Sequence, residues 1–503
     1  MTFGESIEEA IRREAEKLAE RHQRYHNNLQ LAHERDKKRI TNPPPKKVLK
    51  PAAWQQDRKF NPFYVLKHSK SIARSISGKL QAGNYQPMAP FVQKVAKKDG
   101  GTRNVVMYQI PDAAVSTYFY EKLLKKNIHR FSSFAYAYRQ DRNVHFAIQD
   151  IAVDMRYFSR LFIAEVDFSD FFGSIDHMYL YDQFDQNGFL ISESERAVIR
   201  SFAELNSTKV GIPQGTSISL FLANLACWRL DRQLEAIGVK FARYADDTLI
   251  WSNEYSKICE AFEVIQQFSA STGVQINFSK SEGISLLTHK ELRAELGHYK
   301  HSLDFLGYTL AVDRVSIKRS AVQKIKKQIS YLLYKNLVQP LRGQQLRAVA
   351  IPANNKDDAL IVAISQIRRY LYGDLSEYHL QRCLRGYHYR VAFKGVMSFY
   401  PLVDDEAQLK ELDAWLVGTL HRCLRLRAKL LNAWGHPRFA DFPFNVPHNR
   451  MIPEFRKIRI GQKRLLTIPS FLRIYRALKR GLITSGIEGT MNPGSNAYHY
   501  EDE

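Results

Sequence analysis

Two adjacent carboxylates constrain this chain more than any other feature. Asp246 and Asp247 sit inside FARYADDTLIW, residues 241–251, where Phe241, Tyr244, Leu249, Ile250 and Trp251 are core-filling types. Like charges that close resist ionising together. The segment therefore reads as two short β runs with the acids at a solvated hairpin tip, or as a place where a cation holds them. A second acid closes another apolar run: Asp167 follows LFIAEV, residues 161–166. A carboxylate at the end of a buried strand is costly unless something pairs with it. If these β segments are neighbours, Asp167, Asp246 and Asp247 share one edge of one sheet. Hard divalent cations such as Mg2+ take oxygen ligands of this kind, commonly one or two carboxylates plus substrate phosphates. Two such ions about 4 Å apart can hold the attacking and leaving oxygens of a phosphoryl transfer. The alternative is a plain hairpin tip, with Asp167 capping a helix.

The charge balance points the same way. Of 503 residues, 74 are Lys or Arg and 51 are Asp or Glu, a net charge of +23, which favours a polyanionic partner, RNA or DNA before an anionic membrane surface. Hydrophobic residues make up 45 %, enough for a substantial core, so the chain is not of the disordered class. The four cysteines, Cys227, Cys259, Cys383 and Cys423, are too scattered for a zinc ribbon and suit reduced thiols. The opening MTFGESIEEAIRREAEKL is charged throughout, unlike a signal peptide, and no run approaches a membrane span. The expectation is a cytoplasmic protein with no membrane partner.

Along the chain, residues 5–39 read as one charged helix with a narrow apolar face, which suits docking and equally a plain surface helix. The Pro- and Lys-rich stretch 41–51 is a linker. KKDGGTRNVVMYQIP (97–111) reads as a hairpin about Asp99-Gly100-Gly101, 112–128 as a helix, 160–172 as a strand at its start, and 217–237 as one helix. Residues 255–273 form an amphipathic helix ended by Gly273. VQINFSKSEGISLL and LDFLGYTL are strand-like, and beyond about 317 the chain is mostly helical and basic. Between the acidic clusters lies GIPQGTSISLFLANL (211–225), where Gly211, Pro213 and Gly215 shape a tight loop before a helix and Gln214 offers both a donor and an acceptor.

Taken in order, DFSDFF with Asp167, then GIPQGTSIS, then YADD resemble the palm motifs of reverse transcriptases. KKDGGTRNVV resembles the fingers hairpin of that family, and FAYAYRQDRNVHFAI (134–148) its YGFRPGRS-like segment. GVQINFSKSE (273–282) resembles the lysine-bearing palm motif, and LDFLGYTL (303–310) the primer-grip hairpin. The resemblance covers about 60–320. It implies an α+β right-hand polymerase with an antiparallel palm sheet, a helical thumb and a helical C-terminal extension. The divisions are 1–58 for helix and linker, 59–316 for fingers and palm, 317–435 for a thumb or RNA-binding region, and 436–503 for the extension. It implies RNA-directed DNA synthesis from dNTPs with two Mg2+ ions, or Mn2+. Asp167, Asp246 and Asp247 would be the metal ligands, with the backbone carbonyl of Phe168. Lys280 would be the acid for the departing pyrophosphate, and Phe172 the bulky residue under the sugar. Lys97, Lys98 and Arg103 would meet the triphosphate, and Gln214 the nascent pair.

Residues 384–425 resemble the thumb and RNA-binding region of group II intron enzymes, through Leu384-Arg385-Gly386-Tyr387 and Asp413 to Arg425. NAWGH (432–436) has the letters of the retron NAxxH motif but lies far downstream of its place, which weakens a retron reading. The remaining likeness is to stand-alone defence-associated and abortive-infection reverse transcriptases of bacteria, implying an antiphage role and a non-coding RNA template. A homo-oligomer fits the long N-terminal helix. A maturase or RNA-binding scaffold is one alternative. Untemplated or protein-primed synthesis, with Tyr498 or Tyr500 as the hydroxyl, is another.

Overall fold

The computed structural model describes residues 2–39, 42–96, 102–206, 208–281, 283–294, 296–342, 357–387, 393–460, 463–464 and 466–495. Strands β1 (Phe91–Ala96) and β2 (Thr102–Met107) form an antiparallel hairpin, with Val92 opposite Val106. Then come β3 (Arg160–Val166), β4 (Phe168–Ser169), β5 (Lys240–Tyr244), β6 (Asp247–Ser252), β7 (Gln275–Ile276), β8 (Gly283–Thr288) and β9 (Tyr299–Lys300). The central sheet runs β5-β6-β3-β8-β9, antiparallel except for its β8-β9 edge, while β4 pairs with β7 beside it. A three-stranded sheet of β10 (Leu303–Phe305), β11 (Tyr308–Leu310) and β12 (Val315–Ile317) follows.

Period-two alternation sends the sheet's side chains to two cores. Leu161, Ile163, Ala242, Leu249 and Trp251 join one core, with helix Val144–Tyr157 and the three-stranded sheet. That core continues without a break into the C-terminal helices Arg319–Leu333, Asp358–Tyr372, Glu406–Ala433 and Phe471–Ser485. Val166, Phe241 and Ile250 join the opposite core, with helices Ile110–Asn127, His177–Gln186, Ile218–Ala226 and Tyr255–Thr272. The fold is α+β: an antiparallel palm-type sheet with a fingers-type hairpin and a helical C-terminal part.

The charged helix extends over Phe3–Arg39. Its first half buries Ile7, Ala10, Ile11 and Ala15 against Val65, Ala73, Ile110 and Ala114. Two expected elements are broken. The helix expected over 217–237 divides at Cys227 into Ile218–Ala226 and Trp228–Ile237. There the Tyr179 hydroxyl donates to the Ala226 carbonyl at 2.9 Å, an oxygen that a continuous helix would use internally. VQINFSKSEGISLL is interrupted between β7 and β8 by a turn in which Lys280 and Ser281 N–H both donate to the Asn277 carbonyl. NAWGH marks the end of helix Glu406–Ala433, where Gly435 takes φ +80° and the Trp434 indole donates to the Leu341 carbonyl.

Candidate active site

The sheet register brings the acids together. β3 and β6 pair Val166 with Thr248, so one step further Asp167 stands opposite Asp247. β5 and β6 pair Tyr244 with Asp247, which leaves Ala245-Asp246 as a two-residue turn. Asp167, Asp246 and Asp247 line one cavity of about 390 Å3, shared with Lys280, Leu306 and Lys318.

Asp167 is held from several sides. Its N–H donates to Ser281 Oγ (3.1 Å), and its carbonyl accepts the Asn277 N–H (2.8 Å). Its carboxylate accepts Asn277 Nδ2 at 2.8 Å and faces Lys280 Nζ at 3.4 Å. The β7–β8 turn therefore fixes the acid and delivers the lysine. Beneath the acid turn lies Arg243, fully buried, whose guanidinium donates to both Asp231 oxygens at 2.7 and 2.6 Å. Its Nη1 also reaches Asn224 Oδ1 (3.2 Å) and the Ala245 carbonyl (3.3 Å). Burial works against the charged guanidinium, but the Asp231 carboxylate outweighs it and the Arg243 pKa lies above its ordinary value.

Backbone strain gathers here. Among the described residues, the non-glycine positions with positive φ are Tyr138, Asp170, Ala245 and Leu306. Ala245 precedes Asp246, Leu306 lines the cavity, Asp170 follows Asp167 by three positions, and Tyr138 lies close enough to Asp246 to feel its charge. Such conformations persist only where surrounding structure enforces them, and they collect at functional sites. Burial, and after it the charge of Asp246, raises the Tyr138 hydroxyl pKa. Burial also raises the Asp246 pKa, with the Asp167 charge adding to it and Lys280 opposing. Thr248 Oγ1, buried on the cavity wall, has no hydrogen-bond partner among the described residues.

This donor set fits hard divalent cations. The oxygens are carboxylates gathered at one cavity, burial strips Asp246 of much of the water that would stabilise its charge, and an orphaned hydroxyl lies beside them. Among the described residues no three His, Cys, Asp or Glu side chains form a ready-made cage. Mg2+ is commonly held by one or two carboxylates, with water and substrate phosphates completing its shell.

The other expected residues fall as follows. Phe168 packs its ring between Phe171 and Phe268, and its backbone pairs with Ile276. Phe172 is half-buried, edge-on to Tyr138 at 6.4 Å between ring centroids, and so stands on the Asp246 side of the palm. Gln214 is exposed on the loop before helix Ile218–Ala226. In that loop Gly215 has φ +85°, and a Cβ there would stand 2.5 Å from the Val106 carbonyl of β2, so only glycine lets the loop close on the fingers hairpin. Lys97, Lys98, Tyr498 and Tyr500 lie outside the described residues. Arg103 has its backbone in β2, opposite Val95, and its side chain lies outside them too.

Residues 95–310 match the family model for reverse transcriptase (RNA-dependent DNA polymerase). The chain carries a reverse transcriptase domain. All three cavity acids, Lys280, Phe172 and Gln214 lie within that domain. A curated relative, the Retron Ec86 reverse transcriptase of Escherichia coli, is 25 % identical over 201 residues, covering 33 % of this chain. The match spans 61 % of that relative's length. The retron likeness that the displaced NAWGH argued against therefore exists, with NAWGH itself outside the matched domain. Among solved structures the similarities are low in score. Apo telomerase from Candida tropicalis gives a TM-score of 0.36 at 10 % identity, covering 72 % of this chain and 68 % of that one. Telomerase from Candida albicans with a TWJ fragment of telomeric RNA gives 0.36 at 11 %, covering 74 % and 68 %.

Sequence reasoning about this reverse transcriptase domain missed Arg243, Asp231, Asn277 and Tyr138. The one available signal was an arginine inside the otherwise apolar FARY run, where an ion is tolerated only with a buried partner. Nothing in the letters names Asp231, twelve positions earlier on another element. Among the described residues no helix is long and apolar enough to cross a membrane.

Proposed function

We propose that this chain is an RNA-directed DNA polymerase that builds cDNA from dNTPs. The convergence of Asp167, Asp246, Asp247 and Lys280 on one cavity inside a reverse transcriptase domain carries this reading. Asp167, Asp246 and Asp247, with the Phe168 backbone carbonyl, would hold two Mg2+ or Mn2+ ions, which lower the pKa of the primer 3′-hydroxyl and neutralise triphosphate charge.

The chain's own residues do the rest. The primer 3′-hydroxyl gives its proton to water, its oxygen bonds to the α-phosphorus, and the bond to pyrophosphate breaks. Lys280, whose side chain is 68 % exposed, supplies a proton from Nζ to that leaving group. The Phe172 ring, backed by Tyr138, closes the space a ribose 2′-hydroxyl needs. Lys97, Lys98 and Arg103 on the fingers hairpin receive the triphosphate, and Gln214 meets the nascent pair. Arg243 keeps the acid turn in its strained shape. The fingers and palm span 59–316, with 1–58 docked on the fingers, a thumb over 317–435 and an extension over 436–503. We place the enzyme in the bacterial cytoplasm, in antiphage defence, copying a dedicated non-coding RNA. The family resemblance, the retron relative and the +23 charge support that setting.

The test is to purify the protein with its accompanying nucleic acid, supply Mg2+ and labelled dNTPs or NTPs, and sequence RNA and product. DNA complementary to one co-purifying RNA is expected. Tight RNA capture with no dNTP incorporation would favour a maturase or scaffold instead.

A further inference from the structure

Helix His177–Gln186 begins a few residues after Phe172, and its first residue, His177, is only 4 % exposed. The backbone that joins Phe172 to His177 runs beside the loop that carries Gln214. The Phe172 carbonyl accepts the Ile212 N–H at 2.7 Å, and the Ile175 carbonyl accepts the Gly211 N–H at 2.8 Å. The His177 N–H donates to the Lys209 carbonyl at 3.0 Å, and Asp176 forms an antiparallel bridge with Val210. At Gly211 the chain turns out of this pairing with φ +91°, where a Cβ would stand 3.0 Å from the Gly173 carbonyl. The Gly211 carbonyl is taken by the His177 ring, 2.6 Å from Nε2. A carbonyl only accepts, so Nε2 carries the hydrogen.

The far end of the loop is tied as well. The Pro213 carbonyl accepts from the Thr216 and Ser219 hydroxyls, and Gly215 closes on the Val106 carbonyl of β2. Gln214 stands exposed between the two ties. A core histidine can serve packing alone, and the Tyr181 ring does face His177 at 5.8 Å. Packing does not require a hydrogen aimed at the loop carbonyl.

We infer that His177 is a positioning residue for the incoming dNTP. Its Nε2–H pins the Gly211 carbonyl and so fixes Gln214 relative to Phe172, the side chains that would meet the base pair and the sugar of one nucleotide. The inference rests on the reading of the chain as a DNA polymerase, and it adds a residue that itself touches no substrate.

The test compares His177→Gln with His177→Met in the full chain. Glutamine places an amide N–H as many bonds from Cα as Nε2, and methionine is of similar length with no donor. Both should melt cooperatively. Hydrogen–deuterium exchange across 209–216 should quicken in His177→Met and match wild type in His177→Gln. In single-nucleotide extension of an annealed primer, His177→Met should lose about 10- to 100-fold in kcat/KM for dNTP, chiefly through KM, with the KM for primer–template unchanged. His177→Gln should stay close to wild type. A variant that merely folds poorly would lower apparent kcat and leave KM alone. Gly211→Ala disturbs the same carbonyl without touching His177 and should raise KM likewise; it decides in place of His177→Met if that variant does not fold. Wild-type exchange and KM in His177→Met would overturn the inference, as would His177→Gln impaired as much as His177→Met. Quickened exchange in His177→Met beside a wild type that incorporates no dNTP would refute the polymerase reading alone, with the hold of His177 on the loop still standing.

Discussion

The buried pair under the acid turn makes a prediction with a worked magnitude. In Arg243→Met the Asp231 carboxylate, fully buried, loses both charge-assisted bonds, and the Ala245 carbonyl and Asn224 Oδ1 lose a donor each. Removing one member of a buried ion pair costs about 3–5 kcal/mol, because the remaining charge has no water to return to. Replacing both members by apolar residues of similar size is often close to neutral. Arg243→Met with Asp231→Leu should therefore recover most of the stability. It should not recover activity, because nothing then holds the Ala245 carbonyl and the strained turn at φ +59° relaxes. Urea denaturation followed by tryptophan fluorescence, with Trp251 buried in β6, reads the first quantity. Single-turnover primer extension reads the second. A loss under about 1 kcal/mol in the single variant, or a double variant that regains both stability and extension, would refute the reasoning.

Three further outcomes are expected. Asp246 has a raised folded-state pKa, from burial and then from Asp167, so its contribution to stability is full below the unfolded value and is lost as pH rises through the folded one. At pH 8 in EDTA, Asp246→Asn should therefore melt about 1–3 °C above wild type by differential scanning fluorimetry, and added Mg2+ should raise the melting temperature of wild type only; a lower melting variant would contradict this. Phe172→Ala should cut the preference for dNTP over NTP by about tenfold or more in kcat/KM, since removing the ring lets a 2′-hydroxyl enter. Gly215→Ala forces a Cβ to 2.5 Å from the Val106 carbonyl and should cost about 1–3 kcal/mol, with a matching fall in extension as the loop leaves the fingers strand.

The gathering of the three acids was legible because its signals are local. Apolar runs that stop at Asp167 and restart after Asp247 announce strands and a tip, and β3 ends at Val166 and β5 at Tyr244, just before the acids. The Gly211 and Gly215 loop was legible for a similar reason, since both glycines take positive φ. What stayed hidden depends on contacts between distant elements. The split at Cys227 needs Tyr179 from another helix. The Arg243–Asp231 pair needs a strand to lie on a helix. The strain at Tyr138 and Leu306 contradicts local preference, as strained positions do. Continuity of the core from the palm sheet to helix Phe471–Ser485 also leaves no compositional mark, because each segment shows only its own apolar face.

The most direct test of the proposed polymerase centre is extension of a DNA primer on a heteropolymeric RNA template by purified protein with Mg2+ and dNTPs, wild type beside Asp246→Ala, with the product sequenced. The account predicts a complementary DNA from wild type and none from the variant, which should still unfold cooperatively and, in EDTA, melt no lower than wild type. Equal product from both proteins would contradict it.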